Sequence, residues 1–555
     1  VGGTSSSWND PANWSAGVPT STIDATIPAG TSFFPSTNGI AAACRALVVA
    51  AGATLTVDSS GSLAVHQALN VGGAIAGSGS KSLAGSLSGS LVGPGSIDGP
   101  FAVAKTAGVV TLNGGLTVNG AFALQGGIFS LSTNIGDTLT VNGTATLSGG
   151  TLSTFNIGVL DVNGDVVCSG TACTSPPTIR CSGNWTAHPA FAPTGGGVVT
   201  FDGVGTQTIF GAAQFAALTI PAGGNVVATG ALTIAGALVI DGALTTTAAA
   251  TDANGNVTVG ATGSWDFGAV GATFANSLTA NGPIFGGGTT TMDGNPTATL
   301  SVASGSLASL VVAKTGAGFV TVSGSFSVNG ALSLQSGTLR LSSNTNDTLT
   351  VNGTATLSGG TLTTFNVGVL DVNGDIVCSG TSCTTTPTIR CSGNWTAHPS
   401  FAPTSGGVTT FDGASPQTIF GAAQFAALTI PAGGNVVATA KVTTFGALVV
   451  DGALNTSTVA ADVNGAATVS ASGSWDFGLV GATISGSLVA NGPIFGGGTA
   501  TLDGAGPAAL SGTAGLTASL LVAKSSAVVS LAGPLTVNGS LTLQSGTLTL
   551  SSNAN

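Results

Sequence analysis

The 555-residue chain carries 20 acidic and nine basic side chains, 5% charged in all, beside a hydrophobic share of 43%. A net charge of −11 spread over this length, with no basic stripe, argues against nucleic acid as a partner. Gly, Ser, Thr or Asn breaks every apolar stretch within a few residues, which excludes a membrane-spanning helix. All 20 acids are Asp, Tyr is absent and Gly occurs 88 times, so the uncharged surface falls to Ser, Thr, Asn and Gly. Such a composition supports helices poorly and favours β-structure with frequent tight turns.

In chain order, residues 1–43 have no counterpart elsewhere and read as an N-terminal capping segment, and residues 44–101 as the first coils. A long repeat follows. TLTVNGTATLSGGTL at 138–152 returns unchanged at 348–362, TIRCSGNWTAHP at 178–189 returns at 388–399, and QTIFGAAQFAALTIPAGGNVVAT at 207–229 returns at 417–439. Each offset is 210 residues. The repeat units are placed at 102–311 and 312–521, with 522–555 opening a third. The last residues keep a strand pattern without a cap, an arrangement expected to permit head-to-tail association.

A shorter beat runs inside each unit. VNG occurs at 118, 141 and 162, and again at 328, 351 and 372, so its steps are 23 and 21 residues. Between these marks apolar and small polar residues alternate, as in GALTIAGALVIDGALTT at 230–246, the period of half-buried strands. Glycine and asparagine accept positive φ, so the NG, DG and GG dipeptides are expected to turn the chain at each corner. The fold class that follows is all-β, an elongated parallel β-solenoid with about 21–23 residues per coil. At the usual strand spacing, a unit of roughly ten coils would measure about 48 Å.

The opening W-x-D-P-x-x-W-x-x-G-x-P pattern, from Trp8 to Pro19, is followed by an alternating DATIPAG strand. It resembles the start of secreted bacterial β-helix proteins and of eukaryotic eight-glycine domains. The segment GNWTAHPAFAPTGGGVVTFDGVGTQTIFGAAQFAALTI at 183–220 is similar to repeats of bacterial adhesin-like and autotransporter-like surface proteins. That resemblance implies the β-solenoid fold and a location outside the cell or on its surface.

Candidate chemistry is sparse. The seven cysteines are Cys44 and two copies of a C-x4-C-x7-C set, Cys168, Cys173 and Cys181, then Cys378, Cys383 and Cys391. Copies 210 residues apart lie far beyond disulfide reach, so any pairing falls within a unit. A Cys173–Cys181 or Cys168–Cys181 loop staple and its counterpart are the first choice, and the leftover thiol of each unit is either a link between neighbouring rods or, as the main reading, buried and inert. Cys44 is left over, a free or intermolecular thiol. LDVNGDVV and LDVNGDIV place oxygens at alternate positions, Asp161, Asn163 and Asp165, then Asp371, Asn373 and Asp375. Calcium takes six to eight oxygens and usually a bidentate Glu, which this chain lacks, so an ordinary turn between strands is the main reading and calcium a secondary one. No cofactor motif is present. His66, His188 and His398 are too scattered for a triad or metal cluster, and Trp185, Trp265, Trp395 and Trp475 suit either buried corners or sugar stacking.

These features point to a non-catalytic extracellular structural protein, a surface rod or fibre built by end-to-end stacking of subunits. Its partners would be copies of itself and possible cell-surface glycans. The alternatives are a glycan- or surface-binding adhesin and a polysaccharide-degrading β-helix enzyme, the last of which needs clustered carboxylates.

Overall fold

A computed structural model describes residues 3–131, 136–154, 158–173, 175–193, 195–341, 344, 347–364, 368–516 and 518–550, the side chains of residues 384 and 404 excepted. The chain is an all-β parallel β-solenoid with about 21 residues per turn. Its one described helix is a single 3-10 turn, Pro11–Asn13. No helix among the described residues is long and apolar enough to cross a membrane. Two compact units are present, residues 1–273 with 280–287, and residues 274–279 with 288–555.

In the first unit a coil is three short strands with sharp corners between them, for example Thr138–Val141, Ala145–Leu147 and Thr151–Thr154. Each strand pairs in parallel with its counterpart one turn away, Thr138–Val141 with Val159–Val162 and Ala145–Leu147 with Val166–Cys168. The in-register pairing makes vertical columns. Val118, Val141, Val162, Cys181 and Phe201 stack one above another, all fully buried. On a second face Phe122, Ala145, Val166, Trp185 and Ile209 do the same, large beside small. The second unit repeats this stack as Ala355, Ile376, Trp395 and Ile419.

Alternation also fixes the outer face. Thr117, Thr140, Asp161, Arg180, Thr200 and Thr219 form one outward column of the first unit. Ser327, Thr350, Asp371, Arg390, Thr410 and Thr429 form the matching column of the second. The sequence copies begin inside strands. Residues 101 and 102 both lie in Phe101–Asn113, 311 and 312 in Ser309–Ala313, and 521 and 522 in Ser519–Leu531.

The VNG glycines serve a purpose other than the expected one. Gly143 and Gly164 are not among the positive-φ residues. They are needed because coils nearly touch at this corner: a Cβ on Gly164 would lie 2.5 Å from the carbonyl oxygen of Gly143. Close stacking, not left-handed backbone, selects glycine here.

Candidate functional sites along the coils

The VNG corners build a side-chain ladder. Asn119 donates from Nδ2 to Asp98 Oδ1 at 2.6 Å, Asn142 to Asn119 Oδ1 at 2.9 Å, and Asn163 to Asn142 Oδ1 at 2.7 Å. In the second unit Asn329 donates to Ser306 Oγ at 2.6 Å, Asn352 to Asn329 at 3.2 Å, and Asn373 to Asn352 at 2.8 Å. Asn119 and Asn142, like Asn329 and Asn352, each give one proton and accept another, so the row polarises in one direction along the stack.

This ladder separates the calcium candidates. Asn163 and Asn373 are rungs. Asp165 Oδ1 accepts the backbone N–H of Asn184 at 2.7 Å, and Asp375 Oδ1 that of Asn394 at 2.7 Å, pinning the next coil. Asp161 and Asp371 stand outward, in register with Arg180 and Arg390. Their carboxyls are raised above the usual range by burial and by the neighbouring carboxylates of Asp202 and Asp412. Among the described residues, no three His, Cys, Asp or Glu side chains gather into a group able to hold a metal.

All seven cysteines are buried thiols, so the staples expected at Cys173–Cys181 or Cys168–Cys181, and in the copy at Cys378, Cys383 and Cys391, are not formed in this structure. The strand alternation explains the placement: Val166 and Cys168 point inward with Val167 outward, and Ile179 and Cys181 point inward with Arg180 outward. The thiols therefore belong to core columns of different faces. Cys173 donates to the carbonyl of Leu152 at 3.3 Å and Cys181 to that of Gly183 at 3.3 Å. Burial pushes the thiols of Cys173, Cys181, Cys383 and Cys391 up to about 12, and raises those of Cys168 and Cys378 further. Cys44 is fully buried and raised to about 12 by the same cause, which leaves it no access to another chain.

The tryptophans are core residues. Trp185 is 1% exposed and packs its ring 5.4 Å from both Phe191 and Phe215; Trp395 matches it against Phe401 and Phe425. Trp475 donates from Nε1 to Thr456 Oγ1 at 3.1 Å, as Trp265 does to Thr246. None offers a face to a sugar. His188 Nδ1 accepts the N–H of Ala190 at 3.1 Å, a local turn contact that His398 repeats with Ser400.

Two further groups of side chains bind coil to coil. Lys105, Lys314 and Lys524 are buried, each in a repeated Val-Ala-Lys, with the ammonium on main-chain carbonyls of preceding coils. Lys105 Nζ reaches His66 O at 2.6 Å and Ala84 O at 2.7 Å; Lys314 reaches Ala275 O at 2.6 Å and Asp293 O at 2.5 Å; Lys524 reaches Ser485 O at 2.5 Å. Lys81 is buried too but reaches Gly77 O in its own coil and Asp98 O in the following one, and burial lowers it to about 8. Gln207 is 2% exposed: its Nε2 donates to Cys181 O and Gly183 O, both at 2.7 Å, while its Oε1 accepts from Gly203 at 3.0 Å. Gln417 repeats that set. The signal for the lysines lay in the alternation, since Phe101, Val103 and Lys105 share one inward phase.

One outward depression combines charge and hydroxyls. In the second unit Lys441, Asp462, Val480, Gly481, Thr483, Thr499 and Thr501 line a groove of about 290 Å³. Lys441 Nζ lies 2.9 Å from Asp462 Oδ2, and Thr483 Oγ1 donates to Asp462 Oδ1 at 3.1 Å.

Comparison with protein-family models, with curated proteins and with solved structures found no match to this chain.

Proposed function

We propose that this chain is a non-catalytic structural protein acting outside the cell or on its surface, a rod or fibre element whose solenoid subunits stack end to end. The observation that carries this reading is that coil-to-coil bonding is made by side chains as well as by backbone. The asparagine ladders Asp98 to Asn163 and Ser306 to Asn373, the buried glutamines and the carbonyl-bound lysines all join one coil to the next. In a quasi-one-dimensional fold such nearest-neighbour terms set the resistance of the stack to unzipping. The outward columns bear mainly Thr and Ser, with one Asp beside one Arg in each, so their charges nearly cancel, which suits close lateral contact without strong repulsion.

Electron microscopy of the full chain at rising concentration tests this. Filaments with a regular axial repeat are the expected result. A population that stays as single particles at every concentration, in low and high salt, would sink the polymer reading.

A further inference from the structure

The groove at Lys441 arises from the register of four successive coils. Thr443, Asp462, Thr483 and Thr501 stack in one outward column. Two residues before each, a second column holds Lys441, Ala460, Gly481 and Thr499; Val442 bonds back to Ala460, and a Cβ on Gly481 would lie 2.3 Å from Thr499 O. The middle two members have almost no side chain. With such short side chains in the middle the surface is hollowed between Lys441 and Thr499, the Lys441 side chain reaching over the Ala460 row to Asp462 and the Thr499 main chain closing in on Gly481. One flank is the Asp462 and Thr483 column. The other is the turn after Phe477, which presents Leu479 and Val480, 85% and 52% exposed, to solvent.

We propose that this hollow is a binding subsite for a neutral carbohydrate ring bearing vicinal hydroxyls. Asp462 accepts and Lys441 donates, while Thr483, Thr499 and Thr501 can do either, so adjacent sugar hydroxyls find complementary partners in a small space. The charges of Lys441 and Asp462 cancel at 2.9 Å, which removes any preference for an ionic ligand. Val480 supplies an apolar wall for the C–H face of a ring, while the hydroxyl-rich remainder disfavours a purely apolar occupant. The preceding sequence copy has the same small residues at Ala250 and Gly271 but Ala231 where Lys441 stands, so it lacks the donor. This assignment goes beyond the structural role and stands whether or not the chain polymerises.

The test is saturation-transfer NMR on the full chain with maltotriose, mannotriose and N-acetylchitotriose, and with trigalacturonate as the anionic comparison. At least one neutral trisaccharide should bind. Its Kd should weaken by about tenfold or more in both Lys441→Ala and Asp462→Asn, as the loss of charge-assisted hydrogen bonds requires. Thermal unfolding of Lys441→Ala should match the parent, because Ala231 occupies that place in the first unit. Absence of binding to all three neutral sugars at millimolar concentration, binding of trigalacturonate alone, or an unchanged Kd in either variant would overturn the assignment.

Discussion

Asn142 stands directly beside Asn119 in the next coil, donating from Nδ2 to its Oδ1 at 2.9 Å, and receives at its own Oδ1 the amide of Asn163 at 2.7 Å. A residue that both gives and takes in this way is sensitive to charge. Asn142→Asp keeps the shape and the acceptor for Asn163, but sets a carboxylate against the Asn119 oxygen. A destabilisation of about 0.5–1 kcal/mol is expected near neutral pH at this exposed rung, partly relieved at pH 3 where the new carboxyl can donate. Urea unfolding of the two proteins at both pH values measures it; equal stability at neutral pH would show that the rungs contribute nothing.

The buried lysines make a second prediction. Lys314→Met retains most of the volume but withdraws the ammonium from Ala275 O and Asp293 O. Hydrogen bonds to charged groups are worth about 1.5–3 kcal/mol, so a loss of about 2 kcal/mol is expected. The loss should be local, with amide exchange quickened in the coils beside Lys314 and little changed several coils away. Exchange measured by mass spectrometry distinguishes this from uniform loosening.

The thiols give a third. A thiol held protonated to about 12 in the folded chain but ionising near 9 once unfolded makes the unfolded state shed protons first, so stability falls as pH rises from 9 to 12. Replacing Cys168, Cys173 and Cys181 together by Ala should flatten that fall, even though the cavities lower stability at pH 7. At pH 8 a thiol-reactive dye should label the native chain slowly and the denatured chain at all seven positions. Rapid native labelling would contradict the burial.

Much of the solenoid was readable from period-two alternation, because one face of each strand must be apolar for coils to share a core. The VNG steps marked real coils for the same reason: the corner recurs wherever one Asn must reach the next. Cysteine spacing alone leaves a loop staple open, whereas the strand phase of Val166 and Cys168 places the thiol in the core. The lysines were overlooked because charge is expected outside, and only the carbonyl oxygens of neighbouring coils make an inward ammonium tolerable. The groove at Lys441 was beyond the sequence, since its floor is made by Ala460 and Gly481, which become neighbours only through the stacking register.

Turning four lysines inward has a practical consequence. Of the five lysines, Lys81, Lys105, Lys314 and Lys524 are at most 2% exposed, which leaves Lys441 as the one side-chain amine that a bulky reagent can reach. Among lysine side chains, an amine-reactive fluorophore or cross-linker will therefore mark the folded chain at the single coil of Lys441, giving an optical address on a molecule whose repeated sequence otherwise offers few unique landmarks.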